Sequence, residues 1–381
     1  MEGKKVSPLK QFNLGTLTGA GILAIFLLVL CSSDIAIEYM KKGLRLCAAT
    51  VIPALFPFMI ISELIVSSGI GIRVSKIFSK PMRLIFGVGE SGAAVYILGA
   101  VCGFPIGART AASMYDRGDI SARELEHILT FSNNPGSAFV ISAVGASLLG
   151  NKKLGILLYA CVILSSLTVG AFGKLFFKPA RTQKVYQIHH DHFSFTGSVT
   201  GAIQSSALSM LSVCAYVVFF SAFVGCIGAL LSRFSLPDEL IASIFGFFEL
   251  SSGASAASAL DGNMRKIILC ALFLGWSGLS VHFQIMSVCA NRNISFKPYF
   301  IAKAAQSILC AAFACIAVKF IFPSLLSCDH TVYLQKTDVP FGALSLTFHA
   351  LFAITVLCAG IKMICSGKNF KNIIEKIKKR Y

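Results

Sequence analysis

The feature that most constrains this chain is an apolar stretch that carries its own helix breakers. Residues 98–139 contain Cys102-Gly103-Phe104-Pro105-Ile106-Gly107-Ala108-Arg109-Thr110 and, after a short polar turn, Phe131-Ser132-Asn133-Asn134-Pro135-Gly136-Ser137-Ala138-Phe139. Both runs are apolar on their flanks and broken by Gly and Pro in the middle. In a bilayer, backbone freed from helical hydrogen bonds is tolerated only where protein or a water-filled cavity satisfies it. Two such breaks close together, carrying Arg109, Asn133 and Asn134, predict a polar site near the membrane midplane.

Composition supports the bilayer. The chain is 55% hydrophobic and only 13% charged, with a mean hydropathy of +0.76. Soluble domains carry about 25% charged residues, so a soluble enzyme is excluded. A net charge of +17 raises nucleic acid as a partner. Yet the Lys and Arg fall in short loops and the C-terminal tail, the distribution of a positive-inside membrane protein attracted to anionic lipid. The 13 cysteines lie mostly in or beside apolar runs and form no CxxC pair, so they read as small packing residues.

Apolar runs mark candidate spans over residues 14–33, 44–68, 154–177, 207–231, 301–322 and 344–365, and a broken one over 267–288. Residues 14–33 show no small-x-small cleavage site and no lipoprotein pattern at Cys31, so a retained span is expected rather than a leader. Residues 71–87, with Arg73, Lys76, Lys80 and Arg83 among apolar neighbours, read as a basic amphipathic surface stretch. Residues 91–115 read as a re-entrant hairpin. Ser121 to Glu124 has the form of a capping box, so a helix begins there; it breaks at Asn133–Gly136 and resumes. In the second half, Phe248-Glu249-Leu250-Ser251-Ser252-Gly253-Ala254-Ser255 and Gly275-Trp276-Ser277-Gly278-Leu279-Ser280 read as a second hairpin break and a second broken helix.

The order of features repeats: a span, a hairpin, a broken helix and a returning span. An odd number of crossings before the second half turns it over, which predicts an inverted repeat around a midplane site. The expected fold is an all-α polytopic membrane protein of about eight transmembrane helices plus two re-entrant helical hairpins, both termini cytoplasmic. Its expected divisions are 1–43 (tail and first span), 44–177 (first repeat), 178–200 (cytoplasmic linker), 201–322 (second repeat) and 323–381 (outer loop, last span and basic tail).

The first half resembles the nucleoside-recognition, or Gate, domain family, and within it the sporulation integral membrane proteins of spore-forming Firmicutes. The residues that carry this are Pro53-Ala54-Leu55-Phe56-Pro57-Phe58 with Ser62-Glu63-Leu64, then Gly103-Phe104-Pro105-Ile106-Gly107-Ala108, then Arg123-Glu124 and Phe131-Ser132-Asn133-Asn134-Pro135. The pattern covers roughly residues 44–150, and the second half follows it more loosely. The resemblance implies a hairpin and broken-helix plan like that of concentrative nucleoside transporters. It also implies transport of dipicolinic acid or a similar small aromatic anion, in a cell membrane of the sporulating cell such as the outer forespore membrane.

The candidate substrate-binding residues follow: Phe104, Pro105, Gly107, Arg109 and Thr110; Asn133, Asn134, Pro135 and Gly136; Glu249, Ser251, Ser252 and Gly253; Trp276, Ser277 and Gly278. Half-helix N-termini present N–H groups to carboxylates. Arg109 suits a bidentate carboxylate pair, the amides and hydroxyls supply hydrogen bonds, and Phe104 or Trp276 suits ring stacking. Each has a plainer reading: Arg109 as an interfacial anchor, Asn133 and Asn134 as helix caps, the serines and Trp276 as packing. Glu249, an intramembrane carboxylate, suits a coupling ion, Na⁺ or H⁺, or a pair with Arg109. His282 reads as packing and Lys303 as interfacial. His189, His190 and His192 crowd together in the linker, where a solvated loop is favoured over a metal site. No catalytic motif and no cofactor motif is present. Three functions compete: a permease for a small anion, a nucleoside-type permease, and a non-transporting spore envelope assembly factor.

Overall fold

The computed structural model describes residues 14–67, 80, 82–177 and 195–326. The basic stretch at 71–79, the linker with its three histidines, the 344–365 span and the basic tail lie outside the described residues.

The described residues are helical, with no strand among them. Helix α1 spans Leu14–Cys31 and α2 Ser33–Leu46; a π turn, Cys47–Val51, leads into α3, Ile52–Ser67. The apolar runs leave residues 34–43 between two candidate spans. Instead α1 and α2 meet at a 92° bend around Ser32, and the helix runs on through the charged stretch. It can do so because α2 is amphipathic. Ala36 and Gly43 face inward against the long helix α9, Phe195–Leu231, while Glu38 and Lys42 pair on the outer face at 2.7 Å. Such i,i+4 pairs suit an exposed helix face.

The next elements are α4 (Glu90–Cys102), α5 (Ile106–Asp116), α6 (Ala122–Ser132) and α7 (Phe139–Leu148), the last wound with i→i+5 hydrogen bonds. Helix α8 is Lys152–Gly173. After α9 come α10 (Asp238–Phe248), α11 (Leu250–Ser258), α12 (Asn263–Trp276), α13 (Gly278–Val288) and α14 (Lys297–Ile316). Helices α4 and α5 pack together as a hairpin, and so do α10 and α11; α8 and α14 pack on each other. The capping box at the start of α6 forms as expected. Ser121 Oγ accepts from the Glu124 N–H at 3.2 Å, and Glu124 accepts from the Ser121 N–H at 3.1 Å.

Two apolar cores sit side by side. One joins α7, α8, α10, α11, α12 and α14; the other joins α4, α5, α6 and α13, and Phe104 packs against both. The outer faces are apolar as well: Leu164, Phe172, Leu208, Leu211 and Phe320 are exposed. Bulky apolar side chains pointing outward on this scale are what acyl chains cover. Among the described residues four helices are long and apolar enough to cross a bilayer: 152–173, 196–231, 263–288 and 297–321. The bent pair α1–α2 makes a fifth if it counts as one span. Helix α9 begins at Phe195, inside the stretch expected to be linker, and its 37 residues make a rod of about 55 Å at 1.5 Å per residue.

Candidate functional site

Four interruptions organise the interior, and they meet in pairs. In the first pair, α4 ends at Gly103 (φ +83°), and the Phe104–Pro105 peptide, which is cis, leads into α5. Helix α6 ends at Asn133, and the chain runs without helix to Gly136. The two breaks touch through backbone. The Phe104 N–H donates to the Asn134 carbonyl at 2.9 Å, and a Cβ on Gly103 would stand 2.4 Å from the Gly136 nitrogen. Only glycine fits both that left-handed φ and that approach.

In the second pair the chain leaves helical geometry at one residue each. Glu249 is extended (φ −145°, ψ 123°) and Ser277 is left-handed (φ +76°). A Cβ on Gly278 (φ +78°) would lie 2.8 Å from the Leu250 nitrogen. The expected small-residue break over 248–255 narrows to one residue of that stretch: Leu250 to Ser255 are helical in α11, and the break is Glu249 itself. The cause is the side chain. The Glu249 carboxylate accepts from the Ser251 N–H (2.9 Å), the Ser252 N–H (2.6 Å) and the Ser252 hydroxyl (2.6 Å), so it caps α11. An anion at a helix N-terminus is favoured by the free N–H groups and the macrodipole.

Between the two pairs lies a cavity of about 570 Å³. Its wall takes Phe104 and Gly136 from the first pair, Glu249, Leu250 and Ser251 from the second, a face of α7, and Ser280 and Gln284 of α13. Pro53, Leu55 and Phe58 of α3 and Val213 and Val217 of α9 close it. Among the described residues, Glu249 is the one charged residue in that wall, at 4% exposed, and the side-chain oxygen of Gln284, also 4% exposed, has no hydrogen-bond partner.

The cavity wall therefore takes Phe104, Gly136, Glu249 and Ser251 from the predicted set. The others lie behind or beside it. Pro105 immediately precedes α5, and Thr110 is buried within that helix. Gly107 lets α5 approach Gly99 and the Ser132 carbonyl, as Gly253 lets α11 approach Gly246. Ser252 is spent on Glu249. Trp276 donates from Nε1 to the Phe247 carbonyl at 3.1 Å and stacks on the Phe247 ring at 5.6 Å, with Ser277 buried beside it. Pro135 is buried in the turn before Gly136. Arg109 is turned to α9 and α3: its guanidinium donates to Ser205 and Ser209 and lies 3.7 Å from the Glu63 carboxylate. Ser209 and Ser205 stand one and two turns along α9 from the cavity residue Val213, roughly 6 and 12 Å.

Asn133 and Asn134 cap α6. Their amides donate to the Leu129 carbonyl (3.0 Å) and the Phe131 carbonyl (2.8 Å). The group that sequence reasoning undervalued is Lys303. It is fully buried in α14, where its ammonium donates to the Asn133 carbonyl (2.8 Å) and to Gln306 Oε1 (2.9 Å). Gln306 in turn donates to Asn134 Oδ1 at 2.7 Å. An interfacial lysine snorkels out to water; this one points inward, to the carbonyl end of α6. Its signal in the sequence is the Lys303-x-x-Gln306 spacing on an otherwise apolar helix, which puts both side chains on one face. His282 is buried too, with Nδ1 2.8 Å from the Tyr299 hydroxyl.

Apolar outer faces, long apolar helices and a cavity lined by interrupted backbone define an integral membrane protein of the all-helical class. Among known proteins, the chain is similar to the sporulation integral membrane protein YlbJ of Bacillus subtilis (strain 168), at 29% identity over 357 residues. The match covers 81% of this chain and 88% of that protein. No family model matches the chain, and no solved structure does.

Proposed function

We propose that this chain is a permease of sporulating cells that carries a small aromatic solute through the cavity between its paired breaks, dipicolinate being the first candidate. The observation that carries the reading is the cavity itself, walled by residues of both break pairs. A scaffold protein gains nothing from interrupting four helices in its apolar interior, since each freed backbone group must be satisfied again. Sporulation enters from the name of the similar protein.

On this reading the two sets of hairpin, broken helix and returning helix are inverted repeats, and the full chain has eight spans with two re-entrant hairpins. The 291–297 turn and both termini face the cytoplasm, in keeping with the positive-inside rule. Solute contacts are Phe104 for stacking, the N–H groups opening α7 after Gly136, and Ser251, Ser280 and Gln284 for hydrogen bonds. Arg109 belongs to a neighbouring polar cluster. Na⁺ or H⁺ drives the flux.

A second reading has its own support. Among the described residues, the sole charged one of the wall is a carboxylate, and it repels a dianion. That favours an uncharged, nucleoside-like ring. Uptake by purified protein in vesicles, with labelled dipicolinate against labelled uridine, decides between them. Dipicolinate flux above that of empty vesicles supports the first reading, uridine flux alone the second. Flux of neither at any imposed Na⁺ or pH gradient leaves the envelope assembly role.

A further inference from the structure

A second, more polar cavity of about 370 Å³ lies at one end of the helices. It is lined by the α7–α8 turn with Asn151, by Ser255 and Ser258 of α11, and by Asp261, Asn263 and Lys266 around the start of α12. Ser147 of α7 lines both this cavity and the central one. A single small side chain thus stands in the wall of each.

The opposite end is tied. Residues 263–288 run as one span, and α14 returns beside it, so the start of α12 and the end of α14 share one end. The α13–α14 turn sits at the other. There Arg292 grips Asp116, the last residue of α5, through both carboxylate oxygens, with Nε to Oδ1 at 2.9 Å. The Ser295 N–H donates to Glu126 of α6 at 2.6 Å. Both links join the second set of helices to the first. Outside the spans, the hydrogen bond to Asp116 also raises the Arg292 pKa above its ordinary value.

We infer that the polar cavity is the portal through which a small polar solute reaches the central cavity, with Ser147 at the junction, and that the structure is the state closed at the Arg292–Asp116 end. The vestibule carries Lys266, Asp261 and several hydroxyl and amide groups, a lining that exchanges hydrogen bonds with a hydrated solute. The central wall is mostly apolar and would desolvate it. The portal rests on the permease reading for its purpose but not for its test, which needs no transported solute.

The test is thiol labelling from each membrane face with a small, impermeant methanethiosulfonate, read above the native background. Ser258→Cys in the vestibule and Ser251→Cys in the central cavity should both react from the face bearing the 150–153 turn. Ser165→Cys, buried in α8, should stay silent. Adding Ser147→Trp should slow labelling of Ser251→Cys about tenfold or more, and leave Ser258→Cys unchanged. Equal labelling of Ser251→Cys with and without Ser147→Trp, or labelling from the opposite face alone, overturns the portal. Ser147→Leu, a smaller plug, repeats the comparison if the Trp variant does not fold. Correct labelling with no solute flux refutes the permease and leaves the portal standing; flux with the wrong labelling does the reverse.

Discussion

The two pairs of breaks solve the same problem with opposite charges. In the first pair the exposed groups are carbonyls at the end of α6, and a buried cation, Lys303, meets the Asn133 carbonyl. In the second pair they are N–H groups at the start of α11, and a buried anion, Glu249, meets them. Each charge is matched to the end of the helix it faces. The first break is also the looser one. It leaves residues 133–136 outside any helix, whereas the second departs at single residues. A break held by side chains from another helix, as the first is by α14, moves when that helix moves. A break capped by its own residue is rigid with its hairpin.

Substitutions can break or sharpen this contrast, and the largest effect is expected where backbone touches backbone. Gly103→Ala forces a positive φ on a side chain and drives its Cβ into Gly136, for a loss of about 3 kcal/mol or more. The variant should yield little monodisperse protein in detergent by size-exclusion chromatography; wild-type yield and melting would mean the breaks do not meet. Glu249→Ala strips three donors of their acceptor and should cost about 2–4 kcal/mol, read as a lowered midpoint of thermal unfolding. Glu249→Gln, which keeps one acceptor oxygen, should recover part of it. Lys303→Met should cost less, about 1–2 kcal/mol, because the loss of two charged hydrogen bonds is offset by removal of a buried charge. Its solute flux should fall further than its stability, and equal falls would deny the first break a moving part. Asp116→Asn should be smallest, under about 1 kcal/mol, because the pair it weakens is half exposed. Its signature is faster exchange of solute across vesicles rather than a lower melting point.

The breaks at Gly103–Pro105, Asn133–Gly136 and Ser277–Gly278 were legible because Gly and Pro cannot continue a helix without cost. Ser121 was legible because a capping box is a local device. The break at Glu249 was legible only as part of a longer stretch, 248–255, since a run of Ser, Gly and Ala reads as weak helix while a carboxylate inside an apolar run hides that it ends one. Helix α2 escaped because its charges end an apolar run, and a periodic inner face of Ala36 and Gly43 is too small to show. The cavity wall on α7 escaped for a geometric reason. Residues 138, 139, 142, 143 and 147 spread over half the circumference of an ordinary helix and gather into a narrower face when the helix is wound wider than 3.6 residues per turn. Arg109 had the right chemistry for an anion but meets serines on α9 and the carboxylate of Glu63, partners more than 40 residues away in sequence.

The length of α9 has a consequence for the lipid around it. A rod of about 55 Å cannot fit upright within a hydrocarbon layer of about 30 Å. Its surplus must tilt or project, and Ser205 and Ser209, which grip Arg109, stand between the start of that rod at Phe195 and the cavity residue Val213. Thicker bilayers would let the rod stand more upright, and thinner ones would force more tilt or projection. The protein should therefore be sensitive to bilayer thickness, and vesicles made from lipids of graded chain length would measure that directly.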